Sequence, residues 1–271
     1  MVRLSGGGMY RRRMAESVID KLLREQTGTP VRSAWHRFRG RSPLGKRCEG
    51  WYLAALGEIA VGKSLQALSS DWTIFHALPI GLEGWDIDHL IVGPGGVITV
   101  NAKQHRSARI LVDKAVLTVN GRTVPYLRHA EFEANHITDL MSDRRAQTAP
   151  VRPTVVFVGA REVKVRARPP FVTVLGVDDL VGWLEALPVV LDQNECGRFT
   201  DLFDNPAMWA NVPVETGDDL IERFQALDAE VRAASRQRRV YIPLAIFLGA
   251  GAGAGFFSIV GLLSEAMGLS G

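Results

Sequence analysis

Apolar positions recur with two different periods along this chain, and the switches between them mark its elements. Ala15, Val18, Ile19, Leu22 and Leu23 stand at helical spacing, which predicts a short amphipathic helix ending near Gly28 to Pro30, with its apolar face against a domain or on a membrane surface. The pattern then lapses in a basic stretch, RSAWHRFRGRSPLGKR, where Trp35 and Phe38 interleave with the cations. Helical spacing returns over residues 51–68, with Leu53, Leu56, Ala60, Val61 and Leu65 on one broad face. TIFHAL (73–78), IDHLIV (87–92) and VITVNAK (97–103) read as successive strands separated by glycine-rich turns. RILV and LTV with the Asn120-Gly121 turn suggest a further hairpin. A helix over 130–141 follows, then strands TVVFVG and FVTVLG, then VDDLVGWLEAL and CGRFTDLF as capping helices. This order predicts a mixed α/β sheet flanked by helices.

The longest apolar run comes last. Residues 241–263 carry no charge, and as a helix at ~1.5 Å per residue they span roughly 34 Å, enough for a hydrocarbon core of ~30 Å. Eleven of them are Leu, Ile, Val or Phe, contributing about −3 to −7 kcal/mol to insertion before the glycine and proline penalties. Arg232, Arg236, Arg238 and Arg239 precede the run, so the positive-inside rule predicts a single-pass membrane protein whose N-terminal body is cytoplasmic. A helical stalk over 218–235 leads to it, and the pairs Gly249/Gly253 and Gly251/Gly255 offer a face for homodimerisation. The expected organisation is a basic segment (1–50), a main domain (51–212), the stalk and basic flank (213–240) and the membrane helix (241–263).

Charge adds an asymmetry to this picture. The chain is +3 overall, yet its first fifty residues hold twelve Lys and Arg against four acids, a local balance of +8. Such a segment attracts nucleic acid or anionic lipid headgroups, with Arg37, Arg39, Arg41, Lys46 and Arg47 the candidate contacts. The only cysteines, Cys48 and Cys196, are far apart and form no CxxC, which excludes a disulfide framework or a cysteine-rich zinc site. Gly62-Lys63-Ser64 lies inside a helix without an upstream glycine loop, and no GxSxG is present, so neither a nucleotide-binding loop nor a serine hydrolase is indicated.

Candidate chemistry concentrates in DIDHLIVGPGGVITVNAK, residues 86–103. A turn centred on Pro94-Gly95 pairs Val92 with Val97 and places Asp88 opposite Asn101; the two-residue period adds Asp86 and Lys103 to the same face. Leu90, Val92, Val97 and Thr99 continue that face, whereas Ile87, Ile91, Ile98 and Val100 make the other one apolar. A polar cluster at the end of a packed face suits a cleft; an Asp86 to Lys103 surface ion pair, worth only ~0–1 kcal/mol, would explain it equally. His89 falls on the apolar face as a core histidine, and His105 is close enough to Lys103 to reach a phosphate.

The runs GEIAVGKSLQAL, WDIDHLIVGPGGVITVNAK, VPYLRHAEFEANHITDLM and TVVFV resemble the nuclease-related domain (NERD) family of the PD-(D/E)XK nuclease superfamily, over roughly residues 51–209. The resemblance implies a restriction-endonuclease-like core, Mg²⁺ or Mn²⁺ as cofactor, and phosphodiester hydrolysis of nucleic acid. It assigns Asp88 to the motif aspartate, Lys103 to the motif lysine and Glu58 to a further metal ligand. Asn101 stands where the motif has its second carboxylate. An amide oxygen can ligate a cation but brings no charge, so Asp86, or more weakly Glu83, would have to supply it. A catalytically inactive module that binds nucleic acid or a protein partner is the other reading of the same site.

Overall fold

The computed structural model describes residues 8–9, 12–80, 86–143, 149–209 and 218–241. Five strands form the central sheet in the order β1 (Thr73–Pro79), β2 (Asp86–Gly93), β3 (Gly96–Gln104), β7 (Val151–Val158), β9 (Thr173–Gly176). The first three are antiparallel neighbours and the last three run parallel, so the sheet is mixed. The tight β2–β3 connection depends on glycine at both ends. A side chain at Gly93 would run into the Trp72 ring, and Gly96 takes φ +112°, a conformation open mainly to glycine.

Helix α3 (Cys48–Leu65) covers one face of the sheet, where Val61 and Leu65 pack against Ile91, Ile98, Val100 and Val156. Each of these buried side chains contributes roughly 1.5–3 kcal/mol. Helix α4 (Tyr126–Asp143) and helix α6 (Gln193–Asp204) cover the other face, bringing Ile137, Met141, Phe199 and Phe203 onto Phe75, Leu90, Val92 and Val97. The predicted separation of the hairpin faces holds for Leu90, Val92 and Val97 against Ile91, Ile98 and Val100, whereas Ile87, expected with the latter three, packs on the α4–α6 side. Helix α5 (Leu180–Glu185) adds Leu180 and Leu184 to the α3 side.

A second sheet, absent from the expectation except as one hairpin, runs β6 (Arg122–Thr123), β5 (Val116–Val119), β4 (Arg109–Asp113), β8 (Glu162–Ala167). The Asn120-Gly121 turn, both residues at positive φ, joins β5 to β6 and not β4 to β5. Strand β8 has a largely exposed face and charged alternation, which left no apolar signal to read.

The basic N-terminal stretch is folded onto this body. Helix α1 (Glu16–Thr27) buries Ala15, Ile19 and Leu22 against Tyr52 and Ala55 of α3, so its apolar face packs on the domain, not on a membrane. A short helix α2 (Ala34–Phe38) follows. The last described helix, α7 (residues 218–241), lays Leu220 and Phe224 into the same α1–α3 cluster, and Asp228 accepts a 2.6 Å bond from the Tyr52 hydroxyl. Among the described residues no helix is long and apolar enough to cross a membrane. The predicted span 241–263 and its glycine pairs lie outside the described residues, apart from Tyr241.

Candidate functional site

The β2–β3 register is the one the turn predicts: Val92 faces Val97 and the ladder continues to His89 and Val100. It stops one pair short of Asp88. There the Asp88 carboxylate itself accepts the Ala102 backbone N–H at 2.7 Å. The β1–β2 register also skips the Ala77/Asp88 pair, and Ala77 sits at φ +52°, an unfavourable conformation for a residue with a Cβ. Asp88 thus occupies a break in both ladders, and the break frees its side chain for something other than sheet packing.

Asn101 and Lys103 project from β3 onto the α4 side, as their spacing requires. The Asn101 amide is buried and donates a short hydrogen bond to Glu133 on α4, a residue the sequence reading missed. The remaining oxygens of both groups, Oδ1 of Asn101 and Oε2 of Glu133, are buried without a partner. Lys103 lies with its ammonium 5.2 Å from the Tyr126 ring centroid and within electrostatic reach of Asp88, Glu133 and Glu58. Glu133 could have been found in the sequence. It falls on the apolar stripe Ala130, Ala134, Ile137, Met141 of an amphipathic helix, where a carboxylate costs stability unless it has a role.

Burial dominates the electrostatics. It pushes the Glu133 carboxyl up to about 8, with the nearby Asp88 charge adding to the rise and Lys103 and the Asn101 amide opposing it. Asp88 is pushed up to about 6 by burial, against the pull of Lys103 and the Ala102 N–H. Glu58 is buried on α3 and raised well above the usual range by desolvation, then by Asp88 and Asp86. Three carboxyls packed around one ammonium cannot all ionise at low cost, and an added cation would relieve them.

Asp86 stands at the edge of this group, where its charge raises the Asp88 and Glu58 carboxyls. It faces the N-terminal segment, where burial raises its carboxyl and the Ser17 hydroxyl, Lys21 and Arg12 hold it down; it forms no ion pair with Lys103. His105 is half-buried, its Nε2 2.9 Å from the Tyr126 hydroxyl, and burial and Lys103 lower its pKa. His89 is fully buried, its Nδ1 2.8 Å from Nδ1 of His76, and burial lowers its pKa well below the usual value. Glu83 lies outside the described residues. Arg39, Arg41 and Lys46 line a separate groove that shares no residue with the carboxyl cluster, and Arg37 and Arg47 are exposed.

Among the described residues no three His, Cys, Asp or Glu side chains converge closely enough to hold a metal ion. The donor chemistry nevertheless suits a hard divalent cation: the carboxylates of Asp88 and Glu133 and the amide oxygen of Asn101, with Glu133 Oε2 and Asn101 Oδ1 both buried without a partner. Mg²⁺ is commonly held by one or two carboxylates and keeps several waters.

No curated protein and no solved structure gives a significant match to the chain. Residues 53–158 match the family model described as the nuclease-related domain, a segment that runs from α3 to the end of β7 and holds Glu58, Asp88, Asn101, Lys103 and Glu133. Over that segment the chain is similar to the nuclease-related domain (NERD) family.

Proposed function

We propose that the protein is a membrane-anchored, divalent-metal-dependent phosphodiesterase acting on nucleic acid, with Asp88 and Glu133 as its acidic pair. The observation that carries this reading is the Asn101 to Glu133 hydrogen bond. A neutral amide on β3 and a carboxyl brought in by α4 together occupy the place where the superfamily motif has one strand-borne carboxylate. A cation bound there would favour the ionised Glu133 carboxylate, so that the neighbouring helix would supply the charge that Asn101 lacks.

Asp88 and Glu133 would hold Mg²⁺ or Mn²⁺, with Asn101 Oδ1 as a neutral ligand and Glu58 behind them. A cation bound there would supply Lewis acidity toward a phosphate and a water. Lys103, at the open edge of the cluster, would place positive charge on the phosphate as negative charge builds on it. Its position over the Tyr126 ring restricts the ammonium to that edge. The anchoring half of the proposal rests on the uncharged run 241–263 and the arginines before it, with α7 as the stalk and the nuclease-related domain in the cytoplasm.

Calorimetry with Mn²⁺ and Mg²⁺ on the full chain, alongside cleavage of labelled single- and double-stranded oligonucleotides, tests the site. Asp88→Asn keeps an acceptor for the Ala102 N–H while removing the charge, so it should fold yet lose metal and cleavage. Metal binding that survives both Asp88→Asn and Glu133→Gln would remove the assignment. Metal and nucleic acid binding without cleavage would support the alternative, a tethered nucleic-acid-binding module, which the absence of a preassembled three-carboxylate cage among the described residues favours.

A further inference from the structure

The segment around helix α2 meets the end of the last described helix at one place, where basic and aromatic side chains gather. Helix α2 and the loop after it pack on the last turns of α7. Gly40 sits there at φ +66°, and a side chain on it would strike the Arg238 backbone nitrogen at 2.4 Å and the Ala234 carbonyl at 2.6 Å. Only glycine permits this contact. Phe38 meets the Tyr241 ring edge-on at 5.6 Å, Trp35 stacks on Phe38, and the Arg39 guanidinium lies over both Trp35 and Tyr241. Despite these contacts Trp35 and Phe38 remain 57% and 53% exposed, and Val240 beside them 69%.

Under this aromatic rim lies a groove of about 660 Å³ whose charged lining is Arg39, Arg41, Lys46 and Arg238 against the single carboxylate Glu49. None of the four cations forms an ion pair with a carboxylate among the described residues. Arg32, just before α2, pairs with Glu230 at 2.8 Å, a further link to α7. Tyr241 is also where the uncharged run begins, so a bilayer holding residues 242–263 would start within a turn of the rim. Aromatic side chains beside arginines are the composition that sits at the headgroup level of a membrane.

We propose that this groove is a binding site for the phosphate headgroup of an anionic lipid, seating the body on the membrane surface beside its anchor. The inference rests on the anchoring half of the proposed function. The groove's cations face the phosphate, while Trp35, Phe38 and Val240 enter the interface. The site would fix the tilt of the nuclease-related domain relative to the bilayer, which α7 alone, joined through one helix, does not.

The test uses the full chain in nanodiscs of phosphatidylcholine alone and of an equimolar mixture with phosphatidylglycerol, reading amide hydrogen exchange over residues 31–47. Exchange should slow about tenfold in the mixture when anionic lipid exceeds its Kd about tenfold. Arg39→Gln, Arg41→Gln and Lys46→Gln combined should remove that difference while the exchange pattern of the central sheet stays native. Equal rates in both discs, or a difference that survives in the triple variant, would overturn the proposal. So would the same slowing in phosphatidylcholine discs on adding inorganic phosphate or glycerol phosphate, which would mean a soluble anion, or on adding an oligonucleotide, which would mean nucleic acid. Failure to enter phosphatidylcholine discs at all refutes the anchor and not the groove, since the exchange comparison can then be run on vesicles of the same two compositions.

Discussion

Replacing Glu133 by Gln should stabilise the metal-free protein at alkaline pH and leave it nearly unchanged in acid. Glu133 is buried, bonded only to a neutral amide, and pushed up to about 8 from an ordinary value of about 4.3. Between those values the carboxyl is protonated in the fold and ionised in the unfolded chain. The folded state then binds the extra proton, so raising the pH favours unfolding. The stabilisation tied to that proton is complete below about pH 4.3 and is lost as pH rises through about 8. At ~1.36 kcal/mol per unit the ceiling is about 5 kcal/mol, and coupling to Asp88 and Lys103 brings a realistic figure to about 2–3 kcal/mol. For a folded body of about 200 residues this is roughly 5–10 °C in Tm. Thermal unfolding of the full chain in chelator, wild type against Glu133→Gln from pH 5 to pH 9, reads it directly. The titration of other groups largely cancels in the difference between the two proteins. The variant's advantage should grow with pH and level off above pH 8. A difference independent of pH, or a variant less stable at pH 9, would show that Glu133 is solvated or already compensated, and the cluster would lose its reason to take up a cation.

Three further outcomes follow from the same contacts. Asn101→Asp sets a second carboxylate against Glu133, so in chelator at pH 8 its Tm should fall by several degrees, and Mn²⁺ should recover more for this variant than for wild type; equal recovery would place the cation elsewhere. Truncation after Arg239 should release the protein from membranes, and a tag at Gly271 should be shielded from a cytoplasmic protease, whereas membrane association of the truncated form would shift the anchor to the N-terminal surface. Gly40→Val should detach α2 from α7, costing at least the ~1–2 kcal/mol of a non-glycine residue at positive φ and accelerating exchange over residues 31–47; unchanged protection there would mean that the contact is not held by close approach.

The strand periodicity and the Gly93 to Gly96 turn were enough to set the β2–β3 register, because a one-residue slip would have moved Ile91 and Ile98 off the face that α3 covers. Nothing local announced that the ladder would break at Asp88, since the break depends on Ala77 across the sheet and on a side-chain bond to Ala102. The basic N-terminal segment was legible as charge and as an amphipathic helix, but not in what that helix packs against. Its burial of Ile19 and Leu22 depends on α3 and α7, one of them about two hundred residues away, so deleting residues 1–47 would strip part of the core and could not test charge alone.

Asn101 shows what strand pairing alone leaves out of a site. Read on its own hairpin, Asn101 is a missing carboxylate, and the remedy suggested by the strands is Asp86, two residues from Asp88 on the same face. In the fold Asp86 meets Ser17, Lys21 and Arg12, while its charge still raises the Asp88 and Glu58 carboxyls. The carboxyl that meets Asn101 comes from α4, which follows β3 by more than twenty residues and crosses the face that Asn101 occupies. Motif spacing along two strands cannot reveal such a donor. A carboxylate on the buried stripe of the next helix can, because an unpaired Glu among Ala130, Ala134 and Ile137 costs too much to persist without a partner or a cation. A charged residue in the core register of an element that packs over a motif therefore belongs among the candidates for that site, whatever its distance in sequence.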